Sequence, residues 1–316
     1  MEVNSFMEWR KSELKKIIFM LMVLIVGTVH GENITYKKNK KILTSIQAVY
    51  SIAKSLTKDT DIEVYSIFDS DVSMDYGKSA FDNKDLDLSS AKDAVAVIDV
   101  AKVWHNDYLY EYARRKNIRI VEIDASYSFS GNDYLSLSLL NYKNGDRNPY
   151  VWMSFQNVIK MANIVSDDLS ELFPEDGKKI EDNLEKFSQE IKEIENEYLE
   201  KTLALSSLSV ITLTENLDYL FNDLNIFFNY VDSNELTVEK ISEVMKRNNS
   251  KIFVSDRWIK KEIINEIEKK GGKFLVLDNF NIPRELNEKM DPDGYLKGMK
   301  ENMEKLVEAM KIMDKK

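Results

Sequence analysis

Residues 174–203 read PEDGKKIEDNLEKFSQEIKEIENEYLEKTL. Ile180, Leu184, Phe187, Ile191, Ile194 and Tyr198 follow one another at alternating steps of four and three, which keeps one narrow apolar stripe on a helix. Pro174 suits a first helical turn, where its missing N–H costs nothing. Glu175 with Lys179, Asp182 with Lys186, and Glu197 with Lys201 stand four apart with the acid first, the order that supports a solvated helix face. At 1.5 Å per residue such a helix is roughly 40 Å long, enough to run the length of a domain. An isolated surface helix or a coiled-coil arm would show the same stripe. The flanks favour a rigid spine, because both consist of short β-branched runs alternating with amphipathic helical segments.

The chain has 316 residues, enough for two cores of ordinary size, and its 43% hydrophobic and 31% charged residues are globular values. A formal charge of −10 argues against nucleic acid as a partner. The absence of cysteine excludes disulfides, thiolate metal sites, cysteine nucleophiles and attachment of lipid to an N-terminal cysteine. At the N-terminus Arg10, Lys11, Lys15 and Lys16 precede the apolar run Ile17–Val26. That pattern predicts a signal peptide over 1–31, an uncleaved anchor being the other reading, and places the mature chain in a periplasm or outside the cell. Cleavage there also removes His30, leaving His105 as the single histidine of the mature chain.

Before the spine, strands are expected at Lys41–Ile46, Ile62–Phe68, Ala94–Ile98 and Ile118–Ile123, with helices near Val49–Leu56 and Trp104–Arg115. Ser154 is the expected N-cap of a helix over Phe155–Leu172. After the spine the strands are Leu208–Thr212, Ile226–Tyr230, Ile252–Val254 and Phe274–Leu277. They alternate with helices opened by Thr214 and Thr237 and by the segment at Ile259, and a last helix covers Asp293–Met313. The fold class is therefore α/β: two lobes, each a mainly parallel sheet flanked by helices, joined by one long helix. The boundaries read as 32–173, 174–203 and 204–316. Ligands in such sheets lie at the carboxyl ends of strands, which makes Asp124 and Asp278 site candidates, although an acid there commonly just caps a turn.

The order of segments resembles the solute-binding proteins of zinc and manganese ABC transporters, the type with a helical backbone. The marks are Leu43-Thr44-Ser45 at a strand-to-helix opening, Asp75-Tyr76 after an acidic turn, and Asn148-Pro149 with Trp152. Tyr219 five residues beyond Thr214, Leu277-Asp278 closing a strand, and Asp293-Gly294-Tyr295-Leu296 opening the terminal helix complete the set. The resemblance implies an exported, monomeric protein that captures a metal ion between its lobes and presents it to a membrane permease.

In that family the ligand positions carry His, His, His or Glu, and Asp. In this chain the corresponding residues are Met74, Tyr150, Thr214 and Asp278, so only the acid is kept and a family-type zinc site is not expected. Met74 reads more naturally as a space-filling side chain, Tyr150 as a packing aromatic and Thr214 as a helix cap. Asp278 and Tyr150, with Glu215 one step from the ligand register and Asp71 and Asp75 beside Met74, offer hard oxygens. Those suit manganese, magnesium, calcium or ferric iron better than zinc. Tyr76, Tyr150 and Trp152 would otherwise line a cleft for a small organic ligand or a metal complex.

Two functions share this fold and leader: a solute-binding protein with altered ligands, and a non-transporting homologue acting as an adhesin or regulatory partner. An enzyme is disfavoured. The chain has no phosphate-binding Gly loop, nucleophile elbow or His-Glu-x-x-His, and acid–base work by imidazole would rest on His105 alone.

Overall fold

The structure is a computed structural model that describes residues 40–68, 78–82, 89–129, 133–287 and 289–314. The expected signal peptide and the site candidates Asp71, Met74, Asp75 and Tyr76 lie outside the described residues. No helix among the described residues is long and apolar enough to cross a membrane.

The first lobe has β1 (Lys41–Thr44), α1 (Gln47–Leu56), β2 (Glu63–Ser66), the short α2 (Lys78–Asp82), β3 (Ala96–Asp99), α3 (Leu109–Lys116) and β4 (Val121–Asp124). Then come α4 (Phe155–Leu172) and the long α5 (Gly177–Thr202). The second lobe has β5 (Ser209–Thr212), α6 (Asp218–Asp223), β6 (Phe227–Tyr230), α7 (Ile241–Asn248), β7 (Ile252–Ser255), α8 (Lys261–Lys269) and β8 (Lys273–Val276). A two-stranded ribbon of β9 (Glu285–Leu286) and β10 (Lys289–Met290) leads into α9 (Gly294–Asp314). Every pairing within the two four-stranded sheets is parallel, and their orders match: β2-β1-β3-β4 and β6-β5-β7-β8. Each order reverses direction between its first and third strands, so each lobe presents its switch point at the carboxyl ends of β1 and β3 or of β5 and β7.

The spine is one helix of 26 residues. Ile180, Phe187, Ile191, Ile194 and Tyr198 are buried, and Leu184 packs partly buried against the same core. That core runs continuously through both lobes and α5. The ion pairs differ from the expected set. Glu197–Lys201 forms, at 2.5 Å, but Asp182 pairs with Lys178 at 2.9 Å, Lys179 with Asp59 at 3.4 Å and Glu175 with Lys40 at 3.2 Å. Long surface side chains choose among several opposite charges within reach, so sequence spacing alone does not assign the pairs. Pro174 sits in the turn between α4 and α5, closed by Gly177 N–H donating to Pro174 O, and not in the first helical turn.

Three other boundaries move. α3 starts at Leu109 rather than near Trp104, because the Asp107 carboxylate accepts the backbone N–H groups of Val100 and Leu109 and holds 100–108 as a turn. α6 starts at Asp218, so Thr214 does not cap it. The 3₁₀ turn after Thr237 precedes α7 without a side-chain cap. Ser154 does cap α4, its Oγ accepting from Asn157 N–H at 3.1 Å. The last helix packs on α1 and α5 as well as on β7 and β8. Gln47, buried on α1, bonds Asp291 O and Arg284 N–H and so ties the segment before α9 to the first lobe.

Candidate binding cleft between the lobes

Tyr150, Trp152 and Trp104 form one aromatic cluster at the end of the first lobe. Trp104 stacks on Trp152 at 5.8 Å between ring centroids, and Tyr150 lies 5.3 Å from Trp152 and 5.9 Å from Trp104. All three are buried. The Trp152 indole N–H crosses to Asn279 O in the second lobe, and Tyr295 on α9 donates its hydroxyl to Trp152 O. Tyr150 and Trp152 are therefore packed into the wall of the cleft and do not stand open as a stacking platform.

The segment after Ser136 in the first lobe carries a row of bonds to the second. Leu140 N–H donates to the Tyr219 hydroxyl, which donates to Asn148 O. The Asn148 amide donates to Glu215 O, the Tyr142 hydroxyl to Asn216 Oδ1, and Lys143 N–H to Glu215 Oε2 at 2.6 Å. Glu215 thus faces the gap, with its carboxylate held by the opposite lobe.

Asp256, just past β7, organises the second-lobe floor. One oxygen accepts from the Thr214 hydroxyl at 3.2 Å, the Asn216 amide at 2.6 Å and the Asn279 amide at 2.9 Å; the other pairs with Arg257 Nε at 3.1 Å. Its side chain is 1% exposed. A buried carboxylate persists when its lone pairs are filled this way. A cavity of about 570 Å³ opens over this floor, lined among others by Tyr142, Glu215, Asn216, Tyr230, Asp256 and Trp258.

Asp278 points elsewhere. Its Oδ1 accepts from Phe280 N–H, and its Oδ2 pairs with Arg284 at 3.2 Å; Arg284 also holds Glu301 at 2.7 Å. Burial pushes the Asp278 carboxyl up, against the opposing pull of the Phe280 N–H and of Arg284. The carboxylate helps hold Phe280 in the left-handed region, φ 62°. Gly298 on α9 leaves room for both neighbours: a Cβ there would lie 2.5 Å from Phe280 Cε1 and 2.9 Å from Arg284 Nη1.

Of the sequence candidates, then, Thr214 and Glu215 share the second-lobe floor. Tyr150 and Trp152 share the aromatic cluster, and Asp278 sits in an ion pair beside α9. Asp256 was missed, although Asp256 follows the fully buried strand β7 just as Asp278 follows β8. Asp218 was missed too. Its Oδ1 is buried without a hydrogen-bond partner, and burial, then Glu215, push the carboxyl up to about 7, opposed by Lys143. His105 is exposed on the turn before α3.

The fold has close solved relatives in shape. FpvC from Pseudomonas aeruginosa, a structure in complex with Mn²⁺, superposes with a TM-score of 0.66 at 17% identity, over 87% of this chain and 99% of that one. The Zn(II)-bound ZnuA-like domain of Streptococcus pneumoniae AdcA gives 0.65 at 17%, over 86% and 99%. The metal-dependent lipoprotein YcdH from Bacillus subtilis gives 0.66 at 16%, over 85% and 98%. At these identities the likeness is one of fold. No curated protein matches the chain in sequence. The profile of the zinc-uptake complex component A family, described as periplasmic, matches residues 42–309, nearly the whole span of the two lobes and spine; the chain belongs to that family.

Proposed function

We propose that the chain is the exported solute-binding protein of a metal-type ABC importer, delivering to a membrane permease a cargo held by oxygen donors instead of imidazole. The observation that supports this most is Glu215 with Asp218. Glu215 lines the cavity with its carboxylate held by the opposite lobe, and Asp218, within electrostatic reach of Glu215 and Lys143, has a buried oxygen that lacks a partner. Hard oxygens select manganese, magnesium, calcium or ferric ion, bare or as a complex, over zinc. Elemental analysis of protein purified without chelator, followed by calorimetric titration, tests the reading. Zinc should show no site tighter than micromolar, about 8 kcal/mol, and manganese binding should weaken in Glu215→Gln. A nanomolar one-to-one zinc site lost in Asp278→Ala would sink it.

A second reading, an adhesin or regulatory module without cargo, is favoured by one feature. Three of the family's four ligand positions fall on Tyr150, Thr214 and Asp278, and each has protein neighbours: the tryptophans, Asp256 and Arg284. Protein that carries no metal and takes up neither manganese nor iron would put this reading first.

A further inference from the structure

β4 carries Glu122 and Asp124 two residues apart, and side chains two apart on a strand share a face. Parallel pairing sets Asp99, at the end of β3, directly opposite Asp124, with Val97 opposite Glu122. Val97 belongs to the core on the α3 side of the sheet, whereas Ile98 and Ile123 belong to the core on the other side. The three acids therefore share the face toward α3, and one carboxylate oxygen of each lies within 4.8 Å of the others. Among the described residues no other group of three potential metal ligands comes this close.

These acids are not solvated surface. Asp99 and Asp124 are fully buried and Glu122 is half-buried. Asp124 is held in place by backbone N–H groups of Lys102 and Ser126, at 2.7 and 2.8 Å, and by the Ser126 hydroxyl. Asp99 Oδ2 is buried and has no hydrogen-bond partner. The charges that reach Glu122 favourably come from Lys102 and Arg114, while Asp107 adds a fourth acid whose field reaches Asp99. An orphaned carboxylate oxygen beside two further carboxylates lacks the positive partner that a buried acid needs.

We propose that Asp99, Glu122 and Asp124 bind a hard divalent cation of calcium size in the first lobe, at a site separate from the cleft. Calcium–oxygen bonds of about 2.3–2.6 Å allow two ligands of one ion to stand up to about 5 Å apart, whereas the shorter bonds of magnesium allow only about 4.2 Å. All donors are oxygens, which disfavours zinc. The ion would fix the turns after β3 and β4, and the turn after β3 carries Trp104 into the aromatic cluster of the cleft.

The test is Ca²⁺ titration of the full chain by calorimetry, with melting curves at millimolar Ca²⁺, on the wild type and on Glu122→Gln, Asp124→Asn and the cleft variant Glu215→Gln. At least one Ca²⁺ should bind per chain outside the cleft and raise Tm by a few degrees through mass action. Glu215→Gln should keep that ion, and Glu122→Gln should weaken it by about tenfold or more. Glu122 is half-buried, so its Gln variant remains informative even if Asp124→Asn fails to fold. A Tm indifferent to Ca²⁺, or a response equal in wild type and Glu122→Gln, would overturn the proposal and mean that the acids only share protons. Binding lost in Glu215→Gln alone would place the ion in the cleft and overturn it too.

Discussion

Asp278 leans on Arg284 and serves the backbone of Phe280, although an acid that ends a strand is placed to face a cleft. A double-mutant cycle separates the two pictures. Asp278→Asn with Arg284→Ala should show coupling of about 0.5–3 kcal/mol in stability, whereas Asp278→Asn with Tyr150→Phe should be additive. Coupling to Tyr150 instead would bring the two residues together at the ligand positions that the family resemblance gives them. Asp218 carries a second prediction. Its carboxyl titrates near 7 when folded, above the ordinary value of 3.8, so the metal-free folded chain keeps a proton that the unfolded chain has lost. Stability should therefore fall as pH rises from about 4 to about 7 and then level off. In Asp218→Asn that part of the decline should vanish in urea melts run across this range. An unchanged slope would show that Asp218 is ionised throughout.

At the scale of elements, the apolar stripe of α5 was legible because it is local: burial follows the 3.6-residue period whatever the helix packs on. Its polar anchor was not. Asn183 points inward and donates to Leu56 O at 3.0 Å and Lys58 O at 2.8 Å, satisfying carbonyls at the end of α1. In sequence it is one more polar residue among charged ones. Asn183→Ala leaves those carbonyls unmet and should cost about 1–3 kcal/mol in chemical denaturation, far more than Ala at the exposed Gln189. Equal costs would mean that water replaces the amide. The end of a strand was legible in the same way, as a buried run stopped by Asp. Which strand-end acid meets which donor was not, because Asp256, Asp278 and Asp124 look alike in sequence and differ in their neighbours, distant for Asp256 and Asp124 and brought back by the following turn for Asp278.

Over the whole molecule, two lobes of equal strand order share one core through α5 and meet across the segment 137–148. Period and composition by themselves determined the α/β class, the two lobes, the spine, the absence of thiolate and the scarcity of imidazole, two histidines in all. Those are properties of single segments, or of residue counts, and need no knowledge of distant partners. Only the tertiary structure decided that Tyr150 is walled in by tryptophans, that Thr214 serves Asp256, that Asp278 serves Arg284, and that Asp99, Glu122 and Asp124 converge. The contacts of Tyr150 with Trp104, of Thr214 with Asp256 and of Asp99 with Asp124 join segments more than twenty residues apart, whereas Asp278 and Arg284 are six apart and meet only because the turn after β8 folds back. The energy of a carboxylate is set by burial and by the donors that long-range packing brings to it.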